Sequence, residues 1–172
     1  ITEISDGLFS GLTNLQKVEF GTNVETIGNN AFNECKKLSE LTLPSTVSSI
    51  GESAFQSCIE LQKIELGTNT KTIGNNAFKE CKKLNELTLP SAVSSIGEGV
   101  FQSCTELKTL KIGEHFLIGE ADKARSNESE GGTEINLSEI PANAFSGCTS
   151  IKSVNIPSSV ATIHENAFSG CS

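Results

Sequence analysis

Six cysteine thiols are the groups in this sequence that could do chemistry, as disulfides, metal ligands or nucleophiles. Each follows a phenylalanine by three residues, and the set is Cys35, Cys58, Cys81, Cys104, Cys148 and Cys171. Because all six occupy one position of a recurring unit, we expect neighbouring side chains to run parallel rather than toward each other. The spacing therefore predicts a buried ladder of free thiols, in which burial suppresses the nucleophilic thiolate.

Two histidines complete the set of potential bases and metal ligands. His115 lies in an irregular stretch, and His164 takes a place that glycine holds in other units. Neither has a Cys or carboxylate partner at metal-ligand spacing. The sequence also contains no glycine-rich phosphate loop, no Ser/His/Asp set and no paired catalytic carboxylates. We therefore predict no catalytic, cofactor-binding or metal site, and a protein that is not an enzyme.

Composition narrows the classes of partner. The formal net charge is −8, and Arg125 is the single arginine. An acidic chain of this kind is a poor ligand for nucleic acid or an anionic membrane surface. Trp and Tyr are absent, so stacking on bases or sugars is disfavoured and a protein partner would be held mainly by polar contacts. No apolar run reaches the length of a membrane span, which predicts no membrane insertion.

A recurring phenylalanine organises the chain, with a spacing of 23 residues at most steps: Phe9, Phe32, Phe55, Phe78, Phe101, Phe145 and Phe168. An apolar triplet of the form L-x-x-L-x-L follows, as in Leu38, Leu41 and Leu43, and its end alternates inward and outward like a strand buried on one face. Fixed periods of about 20–50 residues indicate solenoids.

The predicted fold is an α/β repeat solenoid with coils of about 23 residues, and its L-x-x-L-x-L motif resembles that of leucine-rich repeats. A parallel sheet of short strands forms one face, and helical turns or short strands form the other. We predict a helical turn at residues 31–35 and its copies. The structural residues are the repeat cysteines together with Phe32, Phe55, Phe78, Phe101, Phe145 and Phe168.

One glycine position has a specific prediction. Gly28 recurs as Gly51, Gly74 and Gly97, but Pro141 and His164 stand at the equivalent place. Proline holds φ near about −65°, so this position does not require a positive φ. We expect the glycines to allow close packing between coils instead.

Two outward columns of the predicted sheet carry charged residues. One column runs Lys17, Glu40, Lys63, Glu86 and Thr109, and the next runs Glu19, Thr42, Glu65, Thr88 and Lys111. Alternating charges on lateral neighbours predict a solvated face that neutralises itself. The alternative is a mixed-charge docking surface, whose partner-binding candidates are Lys17, Glu19, Glu40, Lys63, Glu65, Glu86 and Lys111.

Residues 113–136 interrupt the repeat, because 44 residues separate Phe101 from Phe145. The segment is either an insertion, which we favour, or a degenerate coil. Its binding candidates are Glu120, Asp122, Arg125 and Glu128, and a tolerated polar loop is the alternative. The carboxylate spacing does not match an EF-hand loop. Asn127 and Asn136 begin matches to the glycosylation pattern.

A second period of 46 residues is visible, because residues 21–66 and 67–112 are identical at 33 of 46 positions. This pattern indicates that a pair of coils was duplicated as a unit. We interpret residues 1–172 as a single repeat domain, with the irregular insertion at about 113–136, that is a fragment of a longer protein.

The repeat resembles the BspA-type, or Treponema pallidum-type, subclass of leucine-rich repeats. The segments LTLPSTVSSIGESAFQSC (41–58), LTLPSAVSSIGEGVFQSC (87–104) and VNIPSSVATIHENAFSGC (154–171) carry the resemblance. It implies a surface or secreted protein that adheres to host cells or to matrix proteins such as fibronectin and fibrinogen. The alternatives are a structural spacer or stalk that presents another domain, and an intracellular scaffold.

Overall fold

Two parallel sheets run along the solenoid in the computed structural model, which describes residues 1–113 and 137–172. The narrow sheet has strands of two residues in the order β1 (Glu3–Ile4), β2 (Thr26–Ile27), β4 (Ser49–Ile50), β6 (Thr72–Ile73) and β8 (Ser95–Ile96). The wide sheet runs β3 (Glu40–Thr42), β5 (Lys63–Glu65), β7 (Glu86–Leu89), β9 (Thr109–Ile112) and β11 (Ser153–Asn155). A two-stranded sheet pairs β10 (Glu139–Ile140) with β12 (Thr162–Ile163). The predicted parallel-sheet solenoid is confirmed.

The third side of each coil, the turn face, consists of β-turns, so the predicted helical turn is wrong. Between Gly28 and Cys35, every second amide bonds to the carbonyl three residues earlier, as in Asn33 N to Asn30 O at 3.1 Å. Asn30 and Glu34 have φ of 54° and 58°. The same two coil positions are left-handed throughout the described chain. A right-handed helix cannot pass through residues of positive φ, and residues 1–113 and 137–172 contain no helix.

Alternate amides of the turn face donate to the next coil. Asn30, Phe32 and Glu34 donate to the carbonyls of Glu52, Ala54 and Gln56 at 2.8, 2.7 and 2.8 Å. The turn face is thus a third hydrogen-bonded ladder, although it contains no strands. This ladder satisfies backbone groups that would otherwise be buried without partners.

The repeat phenylalanines stack along the inside of the solenoid. The rings of Phe32 and Phe55 are 5.1 Å apart between centroids and nearly parallel at 2°. Phe101 and Phe145, on the two sides of residues 114–136, stack at 5.5 Å in the same manner. The five rings from Phe32 to Phe145 are fully buried.

The prediction for the Gly28 position is confirmed, because none of the four glycines has a positive φ. A Cβ built on Gly51 would lie 2.6 Å from the backbone nitrogen of Asn29 in the preceding coil. Gly51 N donates to Ile27 O at 2.8 Å, and this bond holds the two backbones together. The position therefore requires glycine for close approach rather than for conformational freedom.

Pro141 explains why the narrow sheet ends at β8. In the other coils the residue at this position donates from its amide to the isoleucine carbonyl one coil earlier, as Gly97 N does to Ile73 O at 2.8 Å and His164 N to Ile140 O at 2.9 Å. Proline has no amide hydrogen to donate to Ile96 O. Pairing resumes between β10 and β12, where His164 supplies the donor again.

Candidate functional site

The outer face of the wide sheet brings the predicted charged columns together. Glu40 pairs in register with Lys63, and Lys63 with Glu86. The predicted lateral order is confirmed for these residues. Residues 15–20 of the first coil form no strand, yet Lys17 and Glu19 line the same face as Glu40 and Thr42. Of the charged side chains in the two columns, Lys111 is half-buried and the others are exposed, namely Lys17, Glu19, Glu40, Lys63, Glu65 and Glu86.

The ion pairs of Lys17 and Lys63 on this face run along the chain, which differs from the predicted lateral neutralisation. Lys17 Nζ lies 2.6 Å from Glu19 Oε1, and Lys63 Nζ lies 2.6 Å from Glu65 Oε1. Residues two apart on a strand point to the same side, so these pairs meet readily. The hydrogen bond between Lys63 and Glu65 lowers the pKa of Glu65 and raises the pKa of Lys63. The attraction between their opposite charges adds a smaller effect in the same directions. Thr42 Oγ1 donates to Glu65 Oε2 at 3.3 Å.

The carboxylates of Glu40 and Glu86 on this face take no part in these two ion pairs. Glu40 adds to the potential that raises the pKa of Lys63, after the larger effects of Glu65. Among the residues that the structure describes, no ammonium lies within ion-pair distance of Glu40 or Glu86. Both carboxylates are therefore available to a cation from outside.

Two shallow depressions on this face are copies of each other. The first, about 240 Å³, is lined by Lys17, Val18, Glu19, Phe20, Glu40 and Thr42. Adding 46 to each number gives Lys63, Ile64, Glu65, Leu66, Glu86 and Thr88, which all line the second depression of about 450 Å³. The sequence analysis missed this pair of sites. The sequence feature that could have revealed these sites is the 46-residue period, which places Lys-x-Glu at 17–19 and again at 63–65.

A further depression of about 620 Å³ lies between the turn face and the wide sheet. Lys36, Lys37, Ile59 and Glu60 contribute to its lining. Next to it, Lys83 Nζ bridges to Glu60 Oε2 at 2.7 Å across one coil. Lys83 is the equivalent of Lys37 in the 46-residue period.

The repeat thiols are built into the backbone network. Each Sγ donates to the carbonyl of the repeat phenylalanine one coil earlier, at 3.2–3.4 Å. Burial raises the pKa of Cys58, Cys81 and Cys104. Five of the six cysteines are buried and Cys171 is half-buried. Buried thiols with a raised pKa, such as those of Cys58 and Cys81, are poor nucleophiles.

In the described part of the chain, the remaining chemical groups form no candidate site. His164 Nε2 lies 3.0 Å from Glu139 Oε2 on an exposed surface. Within residues 1–113 and 137–172, no three His, Cys, Asp or Glu side chains come together as metal ligands do. The same ranges contain no helix able to span a bilayer. The candidates Glu120, Asp122, Arg125 and Glu128, together with His115, Asn127 and Asn136, lie outside the described residues.

Comparison with known families gives one match. The family profile described as the BspA type leucine rich repeat region matches residues 2–121 and 131–172 in six copies. The match covers most of the chain. Comparison with curated protein sequences finds no match.

Solved structures with the same architecture come from several bacteria. A leucine-rich repeat protein of T. pallidum is 26% identical, with a TM-score of 0.79 over 95% of this chain and 67% of that protein. A leucine-rich repeat protein of Eubacterium ventriosum is 25% identical, with a TM-score of 0.67 over 98% of this chain and 45% of that protein. A leucine rich cell surface protein of Faecalibacterium prausnitzii is 23% identical, with a TM-score of 0.53 over 99% and 49%. The chain thus spans two thirds of the first protein and less than half of the other two.

Proposed function

Because the chain belongs to the BspA-type leucine-rich repeat family, we propose that it is a non-enzymatic protein-recognition module, displayed at a cell surface or secreted, that binds host or matrix proteins as an adhesin does. Membership of a leucine-rich repeat family supports the general role in protein interaction. The cell-surface name of the F. prausnitzii protein and the adhesive character of the resembling proteins motivate the location and the class of partner.

The observation that carries the proposal is the outer face of the wide sheet. Most of its outward side chains are exposed, and it carries two depressions whose walls combine charged groups with half-buried apolar residues such as Leu66. A mixed polar and apolar surface of this kind suits a protein partner. The narrow sheet presents small hydroxyl side chains such as Thr26, Ser49 and Thr72, which offer less to a partner.

The test measures binding of the chain to immobilised fibronectin and fibrinogen. Thr88 lines the larger depression, so Thr88→Arg places a long side chain on the proposed binding face. Thr72, like Thr88, is an exposed threonine but lies on the narrow sheet, and Thr72→Arg is therefore the matched control. We expect Thr88→Arg to weaken binding at least tenfold while Thr72→Arg leaves it unchanged.

Other results would favour the alternatives. If neither matrix protein binds, and no surface-exposed host protein is captured, the module acts as a spacer or a scaffold. If binding occurs but both arginine variants bind as the original chain does, recognition does not use the wide sheet.

A further inference from the structure

We propose that the two depressions of the wide sheet are one subsite present twice, and that together they bind an extended, basic segment of a partner protein. The proposal rests on the protein-recognition function given above and names the chemistry of that partner. The two depressions have equivalent linings, each with one Lys-x-Glu element and one Glu-x-Thr element. A ligand that fits the first depression therefore meets the same polar and charged groups again two coils further along.

The charge that each subsite offers is a carboxylate. In the first subsite Lys17 is held by Glu19, and in the second Lys63 is held by Glu65, both at 2.6 Å. Glu40 and Glu86 remain without an ammonium at ion-pair distance in the described part of the chain. Each subsite thus carries a net charge of one negative unit, which is complementary to a lysine or arginine side chain.

The spacing of these carboxylates selects the conformation of the partner. Glu40 and Glu86 lie at the same column position on either side of Lys63. Two strand spacings of about 4.8 Å separate them by roughly 9.6 Å. Three residues of polyproline II advance about 9.3 Å and return to the same side of the segment. In an extended β-strand, residues three apart point to opposite sides. The matching partner is therefore a polyproline II segment with a basic residue at every third position, lying across the strands.

Apolar surface beside each carboxylate completes the subsite. Phe20 and Leu66 are half-buried at equivalent positions, and the larger depression also includes Pro90. Aliphatic stems of lysine or arginine, and proline rings between them, can cover such surface while the charged head reaches the carboxylate. Lys63 lies between the two carboxylates, so its charge opposes the partner even though its ammonium is held by Glu65.

The experiment uses a labelled peptide of repeated Pro-Pro-Lys units and measures its affinity for the full chain by fluorescence anisotropy. We expect Glu40→Gln and Glu86→Gln to weaken binding about threefold each, and the double variant about tenfold. Glu52 and Glu98 are exposed on the turn face at the same two-coil separation, so Glu52→Gln/Glu98→Gln removes the same charge as a matched control. We expect this control to bind as the original chain does.

Two further measurements test spacing and sign. For a peptide of two Pro-Pro-Lys units, the isomer with its two lysines adjacent should bind several-fold more weakly, because neighbouring residues of polyproline II are only about 3.1 Å apart and do not match the carboxylate spacing. Lys63→Gln should strengthen binding of the Pro-Pro-Lys peptide, whereas a structural disturbance of the sheet would weaken it. Higher salt should reduce the differences among all the variants.

The proposal is overturned if the two peptides bind equally, or if the turn-face control loses as much affinity as Glu40→Gln/Glu86→Gln. Its failure is distinguishable from failure of the proposed function. If Thr88→Arg abolishes binding of a matrix protein while Glu40→Gln/Glu86→Gln does not change it, the wide sheet recognises protein but not through a duplicated basic contact.

Discussion

The thiol of Cys58 donates a hydrogen bond to the backbone carbonyl of Phe32, one coil earlier, over 3.3 Å. The same carbonyl accepts a bond of 3.2 Å from the amide of Cys35 in its own coil. The repeat cysteine therefore connects successive coils at the level of the phenylalanine stack. A small hydrophobic side chain with a weak donor fits this place, and cysteine combines both properties.

This contact predicts the reactivity of the thiols. Titration with a thiol reagent should show little reaction in the native state, and all six thiols should react in denaturant. Burial that raises the pKa of Cys58 and Cys81 keeps the reactive thiolate scarce in the folded chain. A mass lower than that of the fully reduced chain would reveal a disulfide and contradict the prediction.

Stability should fall in alkaline solution for the same reason. A thiol in the unfolded chain ionises at about pH 8.5. The buried thiols of Cys58 and Cys81 have raised pKa values and keep their protons at that pH. Their contribution is thus complete below that pH and is lost as pH rises above it, by about 1.4 kcal/mol per pH unit for each buried thiol. Denaturation curves at neutral and alkaline pH check this, and Cys81→Ala should show a shallower loss than the original chain.

The phenylalanine stack should dominate stability. Phe78 packs between Phe55 at 5.2 Å and Phe101 at 5.4 Å and is fully buried. Phe78→Ala should lower the free energy of unfolding by about 3–5 kcal/mol, because it leaves a cavity in the core. Phe78→Leu keeps most of the apolar volume and should cost less. Lys63→Ala, on the exposed face, should leave the denaturation midpoint almost unchanged, and equal losses for Phe78→Ala and Lys63→Ala would mean that the two faces are assigned wrongly.

Two positions close in sequence should respond to glycine in opposite ways. Ser103 has φ of 60°, so Ser103→Gly relieves about 1 kcal/mol of backbone strain. This gain offsets much of the extra conformational entropy that a glycine loses on folding. We expect a change close to zero or slightly stabilising. Gly97→Ala should instead lower stability by about 1–3 kcal/mol, because a new Cβ meets the backbone of Asn75 in a closely packed region. Chemical denaturation of both variants provides the comparison.

Removal of residues 114–135 should leave the solenoid intact. Phe101 stacks on Phe145, and Thr109 pairs with Ser153, so the coils on the two sides contact each other directly. Loop length contributes little to stability once the ends are held together. We expect the chain with Gly113 joined to Asn136 to keep a cooperative thermal transition and a similar midpoint. Unfolding of this variant would show that the segment is a degenerate coil rather than an insertion.

Several features followed from the sequence because they depend only on period and polarity. The 23-residue spacing brings Glu40, Lys63 and Glu86 side by side, as predicted. The alternation within Leu38, Leu41 and Leu43 places all three inside. Pro141 occupies the coil position that Gly28 has in an earlier coil. Because proline cannot adopt a positive φ, its presence showed that this position needs none.

Other features depended on the tertiary structure. Ser103 and Glu34 have left-handed φ, although neither residue type favours that region, because hydrogen bonds to the next coil determine the path of the turn face. Lys63 has Glu40 and Glu86 beside it but pairs with Glu65 in its own strand, because the direction of a long side chain depends on all the charges around it. The two depressions exist only once residues 17–20 and the strands β3, β5 and β7 of successive coils lie side by side. A linear sequence specifies which residues share a column, whereas packing and electrostatics decide which of them meet.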